Sequence, residues 1–305
     1  MLKLMKANQI AKEPSVKLFE GERALVITGI FGFILSAGIA IYMFFRGSII
    51  LPEGNVKDAF SFNAAIGIFI LSIAAILPLT SLGILKRKVV RWFFIAASFY
   101  SYTIETVQNF RGLNPRFSRE GTVVDMAGGI FFGVVSLVLV TLAILLGIHF
   151  FRMKKTHQRP LLIIGIRYAF LSVLAANIAG IWMILLQDRF TGGAGNIIIL
   201  HGIGFHALQT LILPAWLLEK VRVNDSIKKR LIHYSSNAWM LSILLIGTQT
   251  VLGRSVFELT PLPILASLLM LVWFIMLVVP CVLLFKQKSV AIMKENRFPI
   301  SKGKV

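Results

Sequence analysis

Apolar positions in this chain fall in continuous runs of about twenty residues, the length that carries an α-helix across a bilayer. Eight such runs stand out, at residues 24–45, 64–85, 89–109, 123–150, 161–187, 196–218, 231–252 and 263–285. None shows the ten-residue alternation of a membrane barrel strand. The third run is the least apolar, because its second half is polar, and the fourth and fifth are long enough to tilt. Pro78 and Pro214 lie inside runs and are expected to kink them. The pattern predicts an all-α fold, a polytopic transmembrane helix bundle of eight spans. It divides into a basic N-terminus at 1–23, a membrane domain at 24–285 and a basic tail at 286–305. No internal repeat is visible in the pattern.

Charge then sets the orientation. The chain has 305 residues, 32 Lys+Arg against 13 Asp+Glu, a net charge of +19, and 57% hydrophobic residues. A nucleic-acid binder could carry that charge but not these runs, and disordered chains are poor in apolar residues. Basic residues alternate by loop. The N-terminus, the second, fourth and sixth loops and the C-terminal tail hold 24 of them, while the other loops hold seven. Because Lys and Arg stay on the cytoplasmic side, both termini are expected there, facing anionic inner-leaflet lipids. The N-terminal apolar run is longer than a signal-peptide core and begins late, so it reads as an uncleaved span. A lone Cys281 excludes an intrachain disulfide. Small-residue pairs, Gly129 with Gly133 and Ala176 with Gly180, read as helix-packing points.

Ionisable and amide side chains inside spans are the candidate chemistry, since each is costly in hydrocarbon. In the third run, Ser98, Ser101, Glu105 and Gln108 share one helical face, and Arg111 extends it outward, close enough to compensate the Glu105 charge. In the sixth, His206 and Gln209 share a face, about 15 Å deep at 1.5 Å per residue, and His201 points elsewhere. Three roles for His206 stay open: a hydrogen-bonded core residue, a proton carrier or ligand contact, and a haem ligand needing a partner from another span. His149 and His233 read as interfacial. Gln187, Asp188 and Gln249 also map to the outer half. The candidate ligand or proton site is therefore Glu105, Gln108, Arg111, His201, His206 and Gln209.

The stretches IETVQNFRGLNPRFS (104–118) and LHGIGFHALQTL (200–211) resemble segments of an uncharacterised group of prokaryotic polytopic membrane proteins. The resemblance rests on Glu105, Gln108, Arg111, Gly112, His201, Gly204, His206 and Gln209. It covers under a tenth of the chain, implies a prokaryotic plasma membrane location and brings no activity. The sequence departs from that group after Gly112, at Asn114-Pro115-Arg116-Phe117. Eight spans with both termini inside also look like haem A synthase, but that family's Glu and four-His arrangement is not found, so the likeness is one of architecture. Three functions follow as expectations: an outward-facing polar pocket for a small ligand, ion or proton, serving transport or sensing; a haem- or quinone-binding oxidoreductase using His206; or a structural membrane protein without a site.

Overall fold

The computed structural model describes residues 16–154 and 159–297, which are almost wholly helical. The expectations that rest on residues 1–15, 155–158 and 298–305 lie outside the described residues. The chain forms two compact units, one built largely from residues before 146 and the other from residues after 160.

The first unit contains α1 (Arg23–Arg46), a short hairpin of β1 (Ile49–Ile50) and β2 (Gly54–Asn55), α2 (Val56–Ile76) and α3 (Ile84–Phe110). Most of α4 (Val123–Arg152) completes it. The second contains α5 (Pro160–Leu186), a hairpin of β3 (Phe190–Thr191) and β4 (Gly195–Asn196), α6 (Ile197–Thr210), α7 (Ile212–Lys220), α8 (Asp225–Val251) and α9 (Pro261–Arg297). Pro78 sits in a 3-10 turn that ends α2, and the helix breaks between α6 and α7 just before Pro214. Each proline removes a backbone donor, so the helix tightens or restarts around it.

Six helical segments are long and apolar enough to cross a membrane: α1, α2 with its 3-10 turn, α4, α5, α6 with α7, and α9. They correspond to six of the eight expected spans. The remaining two, α3 and α8, are also full-length helices of 27 residues. Their charges set them apart, since α3 opens on Lys86, Arg87, Lys88 and Arg91, and α8 on Asp225, Lys228, Lys229 and Arg230. The last helix runs past the expected end at 285 to Arg297, with Pro280 inside it.

The absence of an internal repeat is overturned. The two units share one plan, 141 positions apart. Helix α3 matches α8 at both ends, and α2 and α6 begin at Val56 and Ile197. The hairpins have one register, Ile49 opposite Asn55 and Phe190 opposite Asn196. Both end on an Asn whose Oδ1 accepts the N–H two residues on, at 3.2 Å for Asn55 and 3.1 Å for Asn196. That satisfies a free donor at each helix start. After α3 and α8 the chain turns through Gly112 (φ 76°) and Gly253 (φ 70°), a left-handed conformation that favours glycine. The carbonyls of these glycines accept the backbone N–H of Glu53 (2.8 Å) and Ala194 (2.9 Å), tying each hairpin to the end of its third helix.

Candidate functional site

The end of α3 and the loop after it collect the polar residues of the first unit. Two arrangements meet there, and the comparison between units separates them.

The first is a clasp. Thr122 and Asp125 form a capping box at the start of α4: the Thr122 Oγ1 accepts from the Asp125 N–H, and Asp125 Oδ2 accepts from the Thr122 N–H at 2.9 Å. The same carboxylate takes the Arg111 guanidinium (Nη1 to Oδ1, 2.5 Å) and the Gln108 amide (Nε2 to Oδ1, 3.0 Å). Arg111 in turn donates to Gln108 Oε1 at 3.1 Å. These bonds pin the loop to the helix it left. The second unit does the same work with equivalent parts. Gln249 donates to the Ser255 carbonyl at 2.9 Å, and Glu258 pairs with Arg254 at 3.0 Å and accepts from the Ser255 N–H at 3.1 Å. Gln108 and Gln249 occupy matching positions, but Arg111 and Asp125 match Leu252 and Ala266, so the amide is repeated and each unit builds its arginine–carboxylate pair from different positions.

The second arrangement has no counterpart. Glu105 is fully buried, and Arg116 Nη2 approaches its Oε2 to 2.8 Å. Arg116 comes from the loop, and its guanidinium lies 5.4 Å from the Phe62 ring centroid and 5.5 Å from that of Phe132, a cation–π cradle. In the second unit the matching positions are Ile246, which is buried, and Phe257, which is exposed. Glu105 therefore pairs with Arg116, not with Arg111 as its position on the helix suggested. The turn at Asn114-Pro115 brings the later arginine back, with Asn114 Oδ1 accepting from the N–H groups of Arg116 (2.9 Å) and Phe117 (3.1 Å).

Around Glu105 the polar stripe of α3 is buried and incompletely bonded. Ser98 and Ser101 have no exposure, and neither hydroxyl has a hydrogen-bond partner among the described residues. Neither Glu105 carboxylate oxygen has a partner of full hydrogen-bond geometry among the described residues, although Arg116 stands at 2.8 Å and the Asn109 amide lies nearby. Asn63 on α2 donates to Thr106 Oγ1 at 2.9 Å, while its Oδ1 accepts nothing. In the second unit the position of Ser98 holds Trp239, whose indole N–H donates to Ser172 Oγ at 3.1 Å. The position of Ser101 holds Ser242, which donates to the Ala266 carbonyl at 2.9 Å. The second unit thus fills or satisfies two positions that the first leaves polar and open-handed, although Tyr102 of the first unit is larger than its match, Ile243.

Glu53 and the loop close the cluster on the hairpin side. Its carboxylate accepts from Ser118 Oγ (2.6 Å), the Arg119 N–H (2.8 Å) and the Asn114 N–H (3.2 Å). Burial pushes this carboxyl up, but the hydrogen bonds outweigh it and hold the group below its ordinary value.

The described histidines belong to the second unit. His201 is half-buried, its Nδ1 2.8 Å from the Ala176 carbonyl, and a Cβ on Gly180 would lie 2.9 Å from its ring. His206 is exposed on α6, its Nδ1 3.2 Å from Gln209 Oε1. It is thus not the buried core residue that its depth allowed, and its ring contacts an amide on its own helix. His233 meets Tyr168 Oη at 3.0 Å, and Arg167 donates to the Phe150 carbonyl at 3.0 Å. Gln187 and Asp188 are exposed. Among the described residues no three His, Cys, Asp or Glu side chains gather as a metal site. Of the six sequence candidates, Glu105, Gln108 and Arg111 share the first unit's cluster, joined by Arg116 and Asp125, which the sequence reading passed over. A charged residue in a span needs a counter-charge; searching the loop beyond one helical turn for it would have raised Arg116. No protein-family model matches the sequence, no curated protein matches it, and no solved structure matches the fold.

Proposed function

We propose that this is an eight-span protein of the prokaryotic plasma membrane, with both termini cytoplasmic, that binds a small cation from the outer side at Glu105. One observation carries the reading: a carboxylate without exposure has no hydrogen-bond partner of full geometry among the described residues, and its ionic contact is Arg116, whose side chain is 38% exposed. A buried charge is costly unless paired and hydrogen-bonded. A site that stops at one flexible partner is half complete, and a cation can supply the rest. Buried hydroxyls at Ser98 and Ser101 and the Asn63 carbonyl offer neutral oxygen ligands along the same stripe, which extends about 10 Å inward from Glu105 to Ser98 at 1.5 Å per residue.

The chemistry is an exchange. Arg116 is the resident counter-charge, and an arriving cation competes with it for the carboxylate. When the cation takes Glu105, the guanidinium swings outward and loosens the loop at 113–121, which couples occupancy to the outer surface. That coupling serves sensing directly, and it serves transport if the stripe continues inward.

The test is thermal unfolding of detergent-purified protein across a panel of alkali and alkaline-earth cations, guanidinium and methylammonium. Saturable stabilisation by at least one cation is expected in the wild type and should be abolished in Glu105→Gln. Equal responses from wild type and Glu105→Gln to every cation would overturn the proposal.

A further inference from the structure

The cytoplasmic end of the first unit holds a second arrangement of charges, unrelated to Glu105. Glu22, just before α1, is fully buried and lies between two arginines of α3. Arg87 Nε donates to its Oε1 at 2.5 Å, and Arg91 donates through Nε to Oε2 at 2.6 Å and through Nη2 to Oε1 at 3.0 Å. Arg87 also donates to the Glu20 carbonyl. An arginine carries five N–H donors; these bonds use two on each, so both guanidinium groups keep donors in reserve. One carboxylate holds two cations, which leaves a net positive charge. Lys88 stands exposed beside them.

These three residues line a cleft of about 430 Å³, with Val16, Glu20, Gly21, Pro78 and Ile84 on its other walls, so three cations face the Glu20 and Glu22 carboxylates and one net positive charge remains. The cleft lies at the start of α3, where Gly83 supplies no side-chain cap for the first backbone N–H donors. Immediately beside it the helix exposes large apolar side chains. Ile84 is 90% exposed, Leu85 74% and Trp92 54%. Fixed cations against an apolar shelf, at the level where an indole marks a membrane interface, are the two halves of an amphiphile's complement.

We infer that this cleft binds the phosphate headgroup of an anionic phospholipid of the inner leaflet, with Arg87, Arg91 and Lys88 on the phosphate and Ile84, Leu85 and Trp92 against the acyl chains. Glu22 is the positioning residue. It orders two flexible arginines before the lipid arrives, so less side-chain entropy is lost on binding. The repeat sharpens the assignment. The positions that match Arg87 and Lys88 are Lys228 and Lys229, but Arg91 is matched by Ile232 and Ile84 by Asp225, so the second unit lacks both the paired guanidinium groups and the shelf.

The experiment measures saturable lipid binding to the purified full chain by native mass spectrometry and by thermal shift. Its arms are phosphatidylglycerol, phosphatidylcholine and free glycerol phosphate. Phosphatidylglycerol is expected to bind and stabilise, with phosphatidylcholine far weaker and glycerol phosphate without measurable effect. Lys88→Gln, which leaves the Glu22 pairs intact, is expected to weaken phosphatidylglycerol about fivefold, as the loss of one basic residue at an anionic headgroup. Ile84→Ser should weaken it as well. Lys229→Gln, an exposed cytoplasmic lysine of the other unit, should leave it unchanged. Equal loss from Lys88→Gln and Lys229→Gln would mean diffuse surface attraction and overturn the site. Stabilisation by glycerol phosphate alone equal to that by the lipid would overturn the lipid as its occupant. Either result leaves the cation reading of Glu105 untouched.

Discussion

Glu105 and Arg116 form the pair on which the first unit's cluster turns. Removing Arg116 leaves a carboxylate with no exposure and no ionic partner. Arg116→Gln is therefore expected to destabilise the protein by about 3 kcal/mol, the low end for breaking a buried pair because Arg116 is partly solvated. Glu105→Gln removes the charge itself and should cost less. The double variant should be more stable than the sum of the two losses, with a coupling of about 1 kcal/mol or more. Additive losses in chemical denaturation would show that the two do not interact. Glu53 makes a different prediction, in pH. Its carboxyl is held below the ordinary range by Ser118 and the loop N–H groups. A carboxyl lowered in the folded state stabilises fully above its unfolded value of about 4.3, and that contribution disappears as pH falls through the lower folded value. Hydrogen exchange of amides 114–121, corrected for intrinsic rates, should accelerate in that acid window in the wild type. In Glu53→Gln it should be fast already at pH 7 and flat below.

At the scale of elements, each hairpin is pressed against the end of its third helix without room for a side chain. A Cβ on Gly54 would stand 2.4 Å from the Asn109 carbonyl, and one on Gly195 2.6 Å from that of Thr250. Both obstacles are backbone, which cannot step aside. Gly54→Ala and Gly195→Ala are each expected to destabilise by about 1–3 kcal/mol, the range for overpacking. Gly133→Ala has nothing within 4 Å of its new atom and should be neutral or slightly stabilising through helix propensity. Neutral behaviour of Gly54→Ala in thermal unfolding would mean the hairpin does not dock. These glycines also show what could be read in the chain beforehand. The helices were legible because twenty apolar residues in a row leave the backbone one way to satisfy itself in lipid. The repeat was not. It survives at scattered positions that geometry dictates, Gly54-Asn55 with Gly195-Asn196, Ser101 with Ser242, and Gln108-x-x-x-Gly112 with Gln249-x-x-x-Gly253, while the apolar residues between them exchange freely. The packing role expected of Gly129 and Gly133 changes for the same reason. A Cβ on Gly129 would meet the Arg116 and Pro115 carbonyls of the loop before α4, and one on Gly133 would meet nothing within 4 Å. Glu105 was legible from composition, but its partner depended on the turn at Asn114-Pro115, which the helical wheel does not contain.

For the whole molecule, the repeat turns the charge asymmetry into a topological claim. Each unit has four rods of spanning length, counting α6 with α7 as one, so a unit that begins in the cytoplasm also ends there. Under the proposed eight-span orientation, both hairpins and both third-helix clasps are expected outside and the basic starts of α3 and α8 inside. An odd number of crossings per unit would instead send the two hairpins to opposite sides. Helices α3 and α8 decide between these outcomes, because they are the two that fall outside the six most apolar. Their charges sit at the ends expected in the cytoplasm, where long side chains reach the headgroups, so they do not forbid a crossing. Single cysteines placed in a Cys281→Ser background test it. Glu120→Cys and Gly193→Cys should both react with a membrane-impermeant maleimide on intact cells. Lys154→Cys and Arg222→Cys should react only after permeabilisation. Protection of both Glu120→Cys and Gly193→Cys with labelling of Lys154→Cys on intact cells would mean that α3 does not cross, and would remove the eight-span topology.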